Sequence, residues 1–141
     1  MPSDFALKTM NAVHRGVLKL SFGRLGWRAG GMPVLELTTT GRKSGQPHRV
    51  MLTSPVQEAD AYVVVASRGG DDHHPAWFLN LQANPDVEVA HAGQKRPMRA
   101  RVASPEERAA LWPRVTARAT TYASYQEKTS REIPLVLLEP R

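Results

Sequence analysis

The stretch PVLELTTTGRKSGQPHRVMLTSPV, residues 33–56, places two strand patterns on either side of a glycine-bounded turn. Before the turn, Leu35 and Leu37 alternate with Glu36 and Thr38, which predicts a half-buried strand. After the turn, RVMLTSPV at residues 49–56 predicts a second strand. The sequence therefore predicts a β-hairpin whose tip concentrates positive charge. Its basic residues are Arg42, Lys43, His48 and Arg49.

Short strands continue after this hairpin. A turn at residues 57–60 leads to AYVVVAS at residues 61–67, and these first three strands predict an antiparallel meander. A second hairpin is predicted from DVEVAHA and RPMRARVA around a turn at residues 93–95, and IPLVLL at residues 133–138 predicts a final strand. About six strands in mainly hairpin order favour an α+β fold, a small antiparallel barrel with external helices.

Helices are predicted at three places. Residues 4–22 repeat apolar side chains at helical spacing and carry a basic face, which indicates an amphipathic N-terminal helix. The segment PAWFLNLQANP predicts a short helix with Pro75 as its first residue. A capping box at residues 104–107, with Pro105 at the first helical position, predicts a helix that runs to about Ala119.

The composition of the whole chain limits its chemistry. Its 141 residues fit a single domain, and the lack of cysteine excludes disulfides, thiolate metal sites and cysteine nucleophiles. The formal charge of +6 predicts an anionic partner, either nucleic acid, a lipid surface or a phosphorylated small molecule. No apolar run is long enough to span a bilayer, so we expect a cytoplasmic protein, with peripheral membrane contact through the N-terminal helix left open.

The basic turn is not a nucleotide-binding P-loop. That motif needs four residues between its glycines and a following helix, whereas three residues separate Gly41 from Gly45 and a strand follows. Backbone amides together with Arg42 and Lys43 could still hold an anion, by a planar fork and a point charge respectively. Taken alone, the pattern is also that of a solvated hairpin tip.

A second loop that could bind an anion favours anion binding over a solvated hairpin tip. Residues 67–70, SRGG, follow a buried valine strand and precede the helix that carries Trp77 and Phe78. Two such loops beside an apolar surface predict a ligand that combines a charged tail with a flat ring. Tyr122 and Tyr125 form a third group, which could cover a ligand or pack at the mouth of the barrel.

Other chemistries are poorly supported. Asp71, Asp72, His73 and His74 are adjacent in one loop and lack a matching ligand pair elsewhere, which favours a solvated loop over a metal site. No serine lies in a nucleophile-elbow pattern. Positive charge is not interleaved with aromatics along one strand, so nucleic-acid binding is a weak alternative. We therefore expect the chemistry to come from a cofactor.

Six motifs taken together resemble the deazaflavin-dependent nitroreductase family. They are LTTTGRKSGQP, VVVASRGG, PAWFLNLQANPDVEV, SPEER, YxxYQ and IPLVLLEP, and they run in order from about residue 34 to residue 140. The resemblance implies a split β-barrel that binds the deazaflavin coenzyme F420. It also implies that the basic turn holds the phosphate and glutamate tail of the coenzyme and that SRGG lies near its phosphate and ring.

The same resemblance implies a set of site residues. Tyr122 and Tyr125 match two tyrosines that border the substrate pocket in nitroreductase members, and Lys128 stands where a third is expected. The implied cofactor-binding residues are Arg42, Lys43, Arg49, Ser67, Arg68, Gly69, Gly70, Ala76 and Trp77.

The implied activity is hydride transfer from reduced F420 to an electron-poor quinone, enone or nitroaromatic, with the proton that completes the reduction coming from Tyr125 or from water. An FMN-binding split barrel and a deazaflavin-binding protein without turnover are the alternatives. Split barrels often pair, which makes a homodimer a further expectation.

Overall fold

The structure is a computed structural model that describes residues 28–29 and 31–141. The predicted helix over residues 4–22 lies outside the described residues. Strands β1 to β8 are Arg28–Ala29, Met32–Thr40, Pro47–Thr53, Val56–Glu58, Ala61–Val65, Asp86–His91, Gln94–Val102 and Leu135–Pro140. Helices α1 to α3 are Ala76–Ala83, Pro105–Arg118 and Thr121–Glu127, and a 3-10 turn covers Arg68–Gly70.

All strand pairs are antiparallel, as predicted. β2 lies between β3 and β6, and the sheet continues from β6 through β7, β8 and β5 to β4, with β1 paired to the start of β2. β8 pairs with β7 on one side and with β5 on the other, where Leu135 faces Val65. The last strand of the chain is therefore an interior strand of the sheet.

The two ends of this sheet are consecutive in the chain. β3 and β4 are the outer strands, and only Ser54 and Pro55 separate them. The buried Ser54 hydroxyl donates to the carbonyls of Val56 and Val63 at 2.9 and 2.8 Å. The sheet therefore curls until its edges meet at this corner, which gives the split antiparallel β-barrel that we predicted.

The predicted meander is wrong. Within the described residues, β3 does not pair with β5, because β5 lies between β4 and β8. The predicted second strand is divided at Ser54 and Pro55, and proline has no N–H to continue a ladder. The hairpin of β2 and β3 is confirmed, with Val34 facing Thr53 and Thr40 facing Pro47.

The second hairpin, between β6 and β7, turns earlier than we predicted. His91 faces Gln94, which leaves Ala92 and Gly93 as a two-residue turn. Both have positive φ, 51° at Ala92 and 83° at Gly93. Two successive left-handed residues match the right-handed twist of the flanking strands.

The two predicted helices that fall within the described residues are present, with small changes at their ends. In α2, the Ser104 hydroxyl accepts from the Glu107 N–H at 3.2 Å and the Glu107 carboxylate accepts from the Ser104 N–H at 2.9 Å, which confirms the capping box. Pro75 is the residue before α1 and has ψ of 151°, so the helix begins one residue later than predicted. The tyrosine segment forms α3.

The core has two layers. One fills the inside of the curled sheet beneath α1, with Leu35, Trp77 and Met98 among its members. The other lies between the outer face of β5 and β8 and the helix α2, with Val63, Leu111 and Leu137 among its members. None of the helices in the described part of the chain is long and apolar enough to cross a membrane.

Candidate active site

The basic turn between β2 and β3 is attached to α1 by one buried amide. The Asn80 side chain is 3% exposed, and its Oδ1 accepts from the backbone N–H and the Nη1 of Arg42 at 3.2 and 2.9 Å. Its Nδ2 donates to Thr39 Oγ1 at 3.2 Å. Asn80 therefore fixes the direction of Arg42, and sequence reasoning gave no indication of this role.

The tip of this turn combines tight backbone packing with exposed charge. Gly41 donates to the Gln46 carbonyl and Gly45 donates to the Gly41 carbonyl, at 2.8 and 2.9 Å. A Cβ atom on Gly41 would lie 2.6 Å from Ser44 Oγ and 2.7 Å from His48 Nε2, so a larger residue there would displace these two exposed side chains. Lys43 is exposed at this tip.

Arg49, the third predicted basic residue, lies on β3 and not in the turn that carries Arg42 and Lys43. Arg49 faces Thr38 across the hairpin, and its guanidinium lies 3.9 Å from the carboxylate of Glu36. Successive strand residues point to opposite faces, so Arg49 and its neighbour His48 lie on different sides of the sheet.

The second loop has an unusual backbone. Ser67 is right-handed helical, with φ of −82° and ψ of −36°, and the next three residues have positive φ, 46° at Arg68, 64° at Gly69 and 85° at Gly70. The Arg68 guanidinium donates to the Asp71 carboxylate at 2.5 Å, and the two side chains are only 15% and 14% exposed. A hydrogen bond from the His73 N–H and the charge of Arg68 lower the pKa of Asp71.

Arg131, which lies between α3 and β8, binds the carbonyl side of this loop. Its guanidinium donates to the carbonyls of Ser67 at 2.9 Å, Asp71 at 2.8 Å and Ala66 at 3.3 Å. A further N–H donates to Nδ1 of His74 at 3.2 Å. The pKa of Arg131 is lowered by burial. Arginine stays ionised over the whole physiological range, so the loop rests on a partly buried positive charge.

His74 joins the loop to α1. Arginine has no acceptor, so Nδ1 of His74 must be the unprotonated nitrogen and the ring is neutral. Burial and the charge of Arg131 lower the pKa of His74, in agreement with this tautomer. The ring packs against Phe78 with centroids 4.7 Å apart.

At the start of α1, the two predicted ring-contacting residues differ in exposure. Trp77 is 8% exposed and packs edge-on against Phe78, with centroids 6.3 Å apart. Ala76 is exposed. An indole this deeply buried contributes mainly to the core, so Ala76 and the rim of Trp77 are what α1 offers to a ligand.

The α3 helix brings the tyrosines to the second loop. A Cβ atom on Gly70 would lie 2.8 Å from the Tyr125 carbonyl oxygen, so the loop and helix pack backbone to backbone. The rings of Tyr122 and Tyr125 meet edge to face, 6.1 Å apart. The hydroxyl groups of Tyr122 and Thr53 lie 3.0 Å apart, and burial raises the pKa of Tyr122. Lys128 Nζ lies 5.5 Å from the Tyr125 ring centre.

Metal ligation receives no support. No group of three or more His, Asp or Glu side chains among the described residues is placed to hold an ion. Asp71 pairs with Arg68 and His74 with Arg131, so these two neighbours serve the loop itself.

The fold and site define a split-barrel protein with two anion-competent loops on one helix. Residues 12–140 match the family model of the F420H(2)-dependent quinone reductases. An F420H(2)-dependent quinone reductase of Mycobacterium tuberculosis strain H37Rv is 41% identical over 139 residues, which cover 96% of this chain and 90% of that protein. The chain therefore belongs to the F420H(2)-dependent quinone reductase family, as the resemblance of its motifs indicated.

Solved structures agree with this assignment. A structure described as an F420-H2 dependent reductase is 42% identical, has a TM-score of 0.68, and is matched over 76% of this chain and 94% of its own. Another, described as a domain-swapped dimer, is 37% identical, with a TM-score of 0.71 and coverage of 91% of this chain and 96% of its own.

The residues present fit an anionic coenzyme. Arg42 and Lys43 offer positive charge at one loop, and Arg131 supports the other from beneath. Both loops are attached to α1, through Asn80 and His74. The eight residues of α1 span roughly 12 Å at 1.5 Å per residue, so the attachment points of the two loops lie close together.

Proposed function

We propose that this protein catalyses hydride transfer from reduced F420 to a quinone. Two observations support this proposal: membership of the quinone reductase family, and the attachment of two anion-competent loops to one short helix. When bound, the reduced deazaflavin supplies the hydride. The hydride and one proton together convert the quinone to a hydroquinone.

The chain would hold the coenzyme by its charged end. Arg42 presents a fork in a direction fixed by Asn80, and Lys43 adds an exposed point charge at the tip. The backbone of residues 67–70 would lie near the phosphate and ring of the coenzyme, beside Ala76 and the rim of Trp77. Because both loops are tied to α1, binding them fixes the orientation of the reactive ring.

The tyrosines would form the acceptor side. Tyr122 is held by Thr53 and its pKa is raised by burial, so its phenol is neutral at physiological pH. Tyr125 is half-buried, with Lys128 above its ring. We propose that the hydroxyl of Tyr125 donates the proton that the quinone oxygen receives, with water as the alternative donor.

Binding titration separates this proposal from its alternatives. Purified protein is titrated with oxidised F420 and with FMN, at low and at moderate salt, and the fluorescence of each cofactor is followed. We expect saturable F420 binding that exceeds FMN binding and persists at moderate salt, with some loss of affinity because Arg42 and Lys43 are exposed and salt screens their charges. Preferential FMN binding would favour the FMN alternative, and F420 binding without quinone reduction would favour a carrier.

Two variants test the basic turn. Lys43→Ala and Arg42→Ala should each weaken F420 binding by about tenfold, the usual effect of losing one charge-assisted contact. Arg49→Ala is the matched control, because its guanidinium lies across the sheet beside Glu36. Unchanged affinity in the first two variants would refute this placement of the coenzyme tail.

We also infer that the protein forms a homodimer in the cytoplasm. The support is the solved structure described as a domain-swapped dimer, which is 37% identical to this chain. Light scattering after size-exclusion chromatography measures the mass directly. A mass of one chain at all concentrations would contradict the dimer.

A further inference from the structure

The Arg131 side chain hydrogen-bonds to residues 66–74, which are far from it in sequence. Three of its acceptors are backbone carbonyls of the second loop, at Ala66, Ser67 and Asp71, and its fourth is His74. A guanidinium carries five N–H donors in a rigid fork, so one side chain can define several peptide planes at once.

These contacts determine where the opposite edges of the same peptides point. The peptide bonds are trans, and in a trans peptide the N–H is directed opposite to the C=O. Because the carbonyls of Ala66 and Ser67 face Arg131, the N–H groups of Ser67 and Arg68 are directed to the other side of the loop.

The backbone angles give those N–H groups a specific arrangement. Ser67 is right-handed and Arg68 is left-handed, with φ of 46°. A right-handed residue followed by a left-handed one turns successive N–H groups into a concavity that binds anions. A residue with a Cβ avoids positive φ, so this arrangement must be held by its surroundings. Arg131 binds the carbonyls on both sides of Ser67, at the start of this arrangement.

We propose that Arg131 is a positioning residue of the reductase, which holds the backbone amides of Ser67, Arg68 and Gly69 in the arrangement that binds the coenzyme phosphate. This inference rests on the proposed function and gives it a mechanism at the second loop. Arg131 acts through the loop backbone.

The proposal changes the role expected of Arg68. Its guanidinium pairs with Asp71 at 2.5 Å, so the charges of these two side chains balance within the loop. Arg131 places a second guanidinium on the carbonyl side of the loop, where it also interacts with the charges of Asp71 and Asp72.

Arg108 supplies a matched control. It is also a part-buried guanidinium, and it donates to the Ile133 carbonyl at 3.1 Å and to Gln126 at 3.2 Å, but not to the loop. Arg131→Lys, Arg131→Met and Arg108→Met are compared with the wild type. For each, the F420 dissociation constant, the midpoint of thermal unfolding, and the amide chemical shifts of residues 67–69 during titration with inorganic phosphate are measured.

We expect Arg131→Met to weaken F420 binding by about tenfold or more. Arg131→Lys should weaken it by less, because the ammonium keeps the positive charge and some of the hydrogen bonds, although it cannot reach all three carbonyls. Phosphate should shift the amides of residues 67–69 in the wild type and in Arg108→Met, and much less in Arg131→Met. Arg108→Met should lower the unfolding midpoint with F420 affinity within about twofold of the wild type.

Three results would overturn the inference. They are wild-type affinity in a folded Arg131→Met, an equal loss of affinity in Arg108→Met at an equal loss of stability, and the absence of amide shifts with phosphate in the wild type. Failure of the proposed function is separate: the wild type would then not bind F420, while the phosphate-induced shifts would still depend on Arg131.

Discussion

Asn80 Oδ1 accepts two hydrogen bonds from one residue, the backbone N–H and the Nη1 of Arg42, at 3.2 and 2.9 Å. A single buried amide on α1 thereby fixes both the start of the basic turn and the direction of its first cation. The turn is 38 residues away in sequence, so this contact exists only because the hairpin packs over the helix.

Asn80→Ala should therefore affect both stability and the coenzyme site. Loss of the amide leaves Arg42 unheld and removes the partner of Thr39, so we expect a loss of about 1–3 kcal/mol in the free energy of unfolding. F420 affinity should fall several-fold because Arg42 is no longer oriented. Denaturant unfolding and fluorescence titration measure the two effects. Gln82→Ala, an exposed change on the same helix, should alter neither.

Gly70 tests the contact between the second loop and α3. Alanine there would need φ of 85° and would place its Cβ 2.8 Å from the Tyr125 carbonyl oxygen. We expect Gly70→Ala to lose about 2–4 kcal/mol of stability, and to slow quinone reduction by displacing Tyr125. Gly93→Ala is the control: its φ is 83° with nothing within 4 Å, so strain alone should cost about 1 kcal/mol. Equal losses in both variants would show that the loop does not press on α3.

The neutral His74 predicts a pH dependence. Its folded pKa lies below the usual 6.5, so the unfolded chain binds a proton that the folded chain resists. The stabilising effect is complete above the unfolded pKa and is lost as the pH falls through the folded value. We expect the free energy of unfolding to decline as the pH drops below about 6.5.

His74→Asn isolates this effect. An asparagine oxygen can accept from Arg131 as Nδ1 does and does not titrate, so the decline below pH 6.5 should become shallower. His73→Asn changes the exposed neighbour and should leave the slope as in the wild type. Denaturant unfolding at several pH values gives the slopes, and equal slopes for the wild type and His74→Asn would exclude this histidine as their source.

The β6–β7 turn offers a stabilising change. Ala92 holds φ of 51°, which costs an L-residue with a plain Cβ about 1 kcal/mol. Asparagine tolerates this region and forms, with Gly93, the pair preferred in such turns. Ala92→Asn should raise the free energy of unfolding by about 0.5–1 kcal/mol. A thermal midpoint equal to or below that of the wild type would contradict it.

Local sequence patterns predicted the strands and helices better than they predicted which strands pair with each other. Alternation and a glycine turn were enough for the β2–β3 hairpin, and the Ser104 capping box was enough for the start of α2. The pairing of β5 with β8 joins residues far apart in sequence and is decided by burial of both faces, which no short pattern encodes. We predicted Ser54 as part of a strand, because the sequence does not show the hydrogen bond that its hydroxyl group makes at the corner.

The site shows the same division. The charged residues of both loops were predictable because glycine and arginine are conspicuous in a turn. Asn80 and Arg131 were missed, although they hold those loops, because their partners lie 38 and 57–65 residues away. The resemblance grouped Arg49 with the basic turn, whereas in the structure Arg49 lies on β3 with its guanidinium beside the carboxylate of Glu36.

The interior position of β8 also determines the order in which the strands can pair during folding. Val65 must wait for Leu135 before its strand gains a second neighbour, and Val102 must wait for Val136. During synthesis the emerging chain therefore displays two unpaired strand borders that are complementary to any β8, including that of another copy. Exchange of this strand between nascent or partly unfolded copies is the assembly error to which this order of strands exposes the protein.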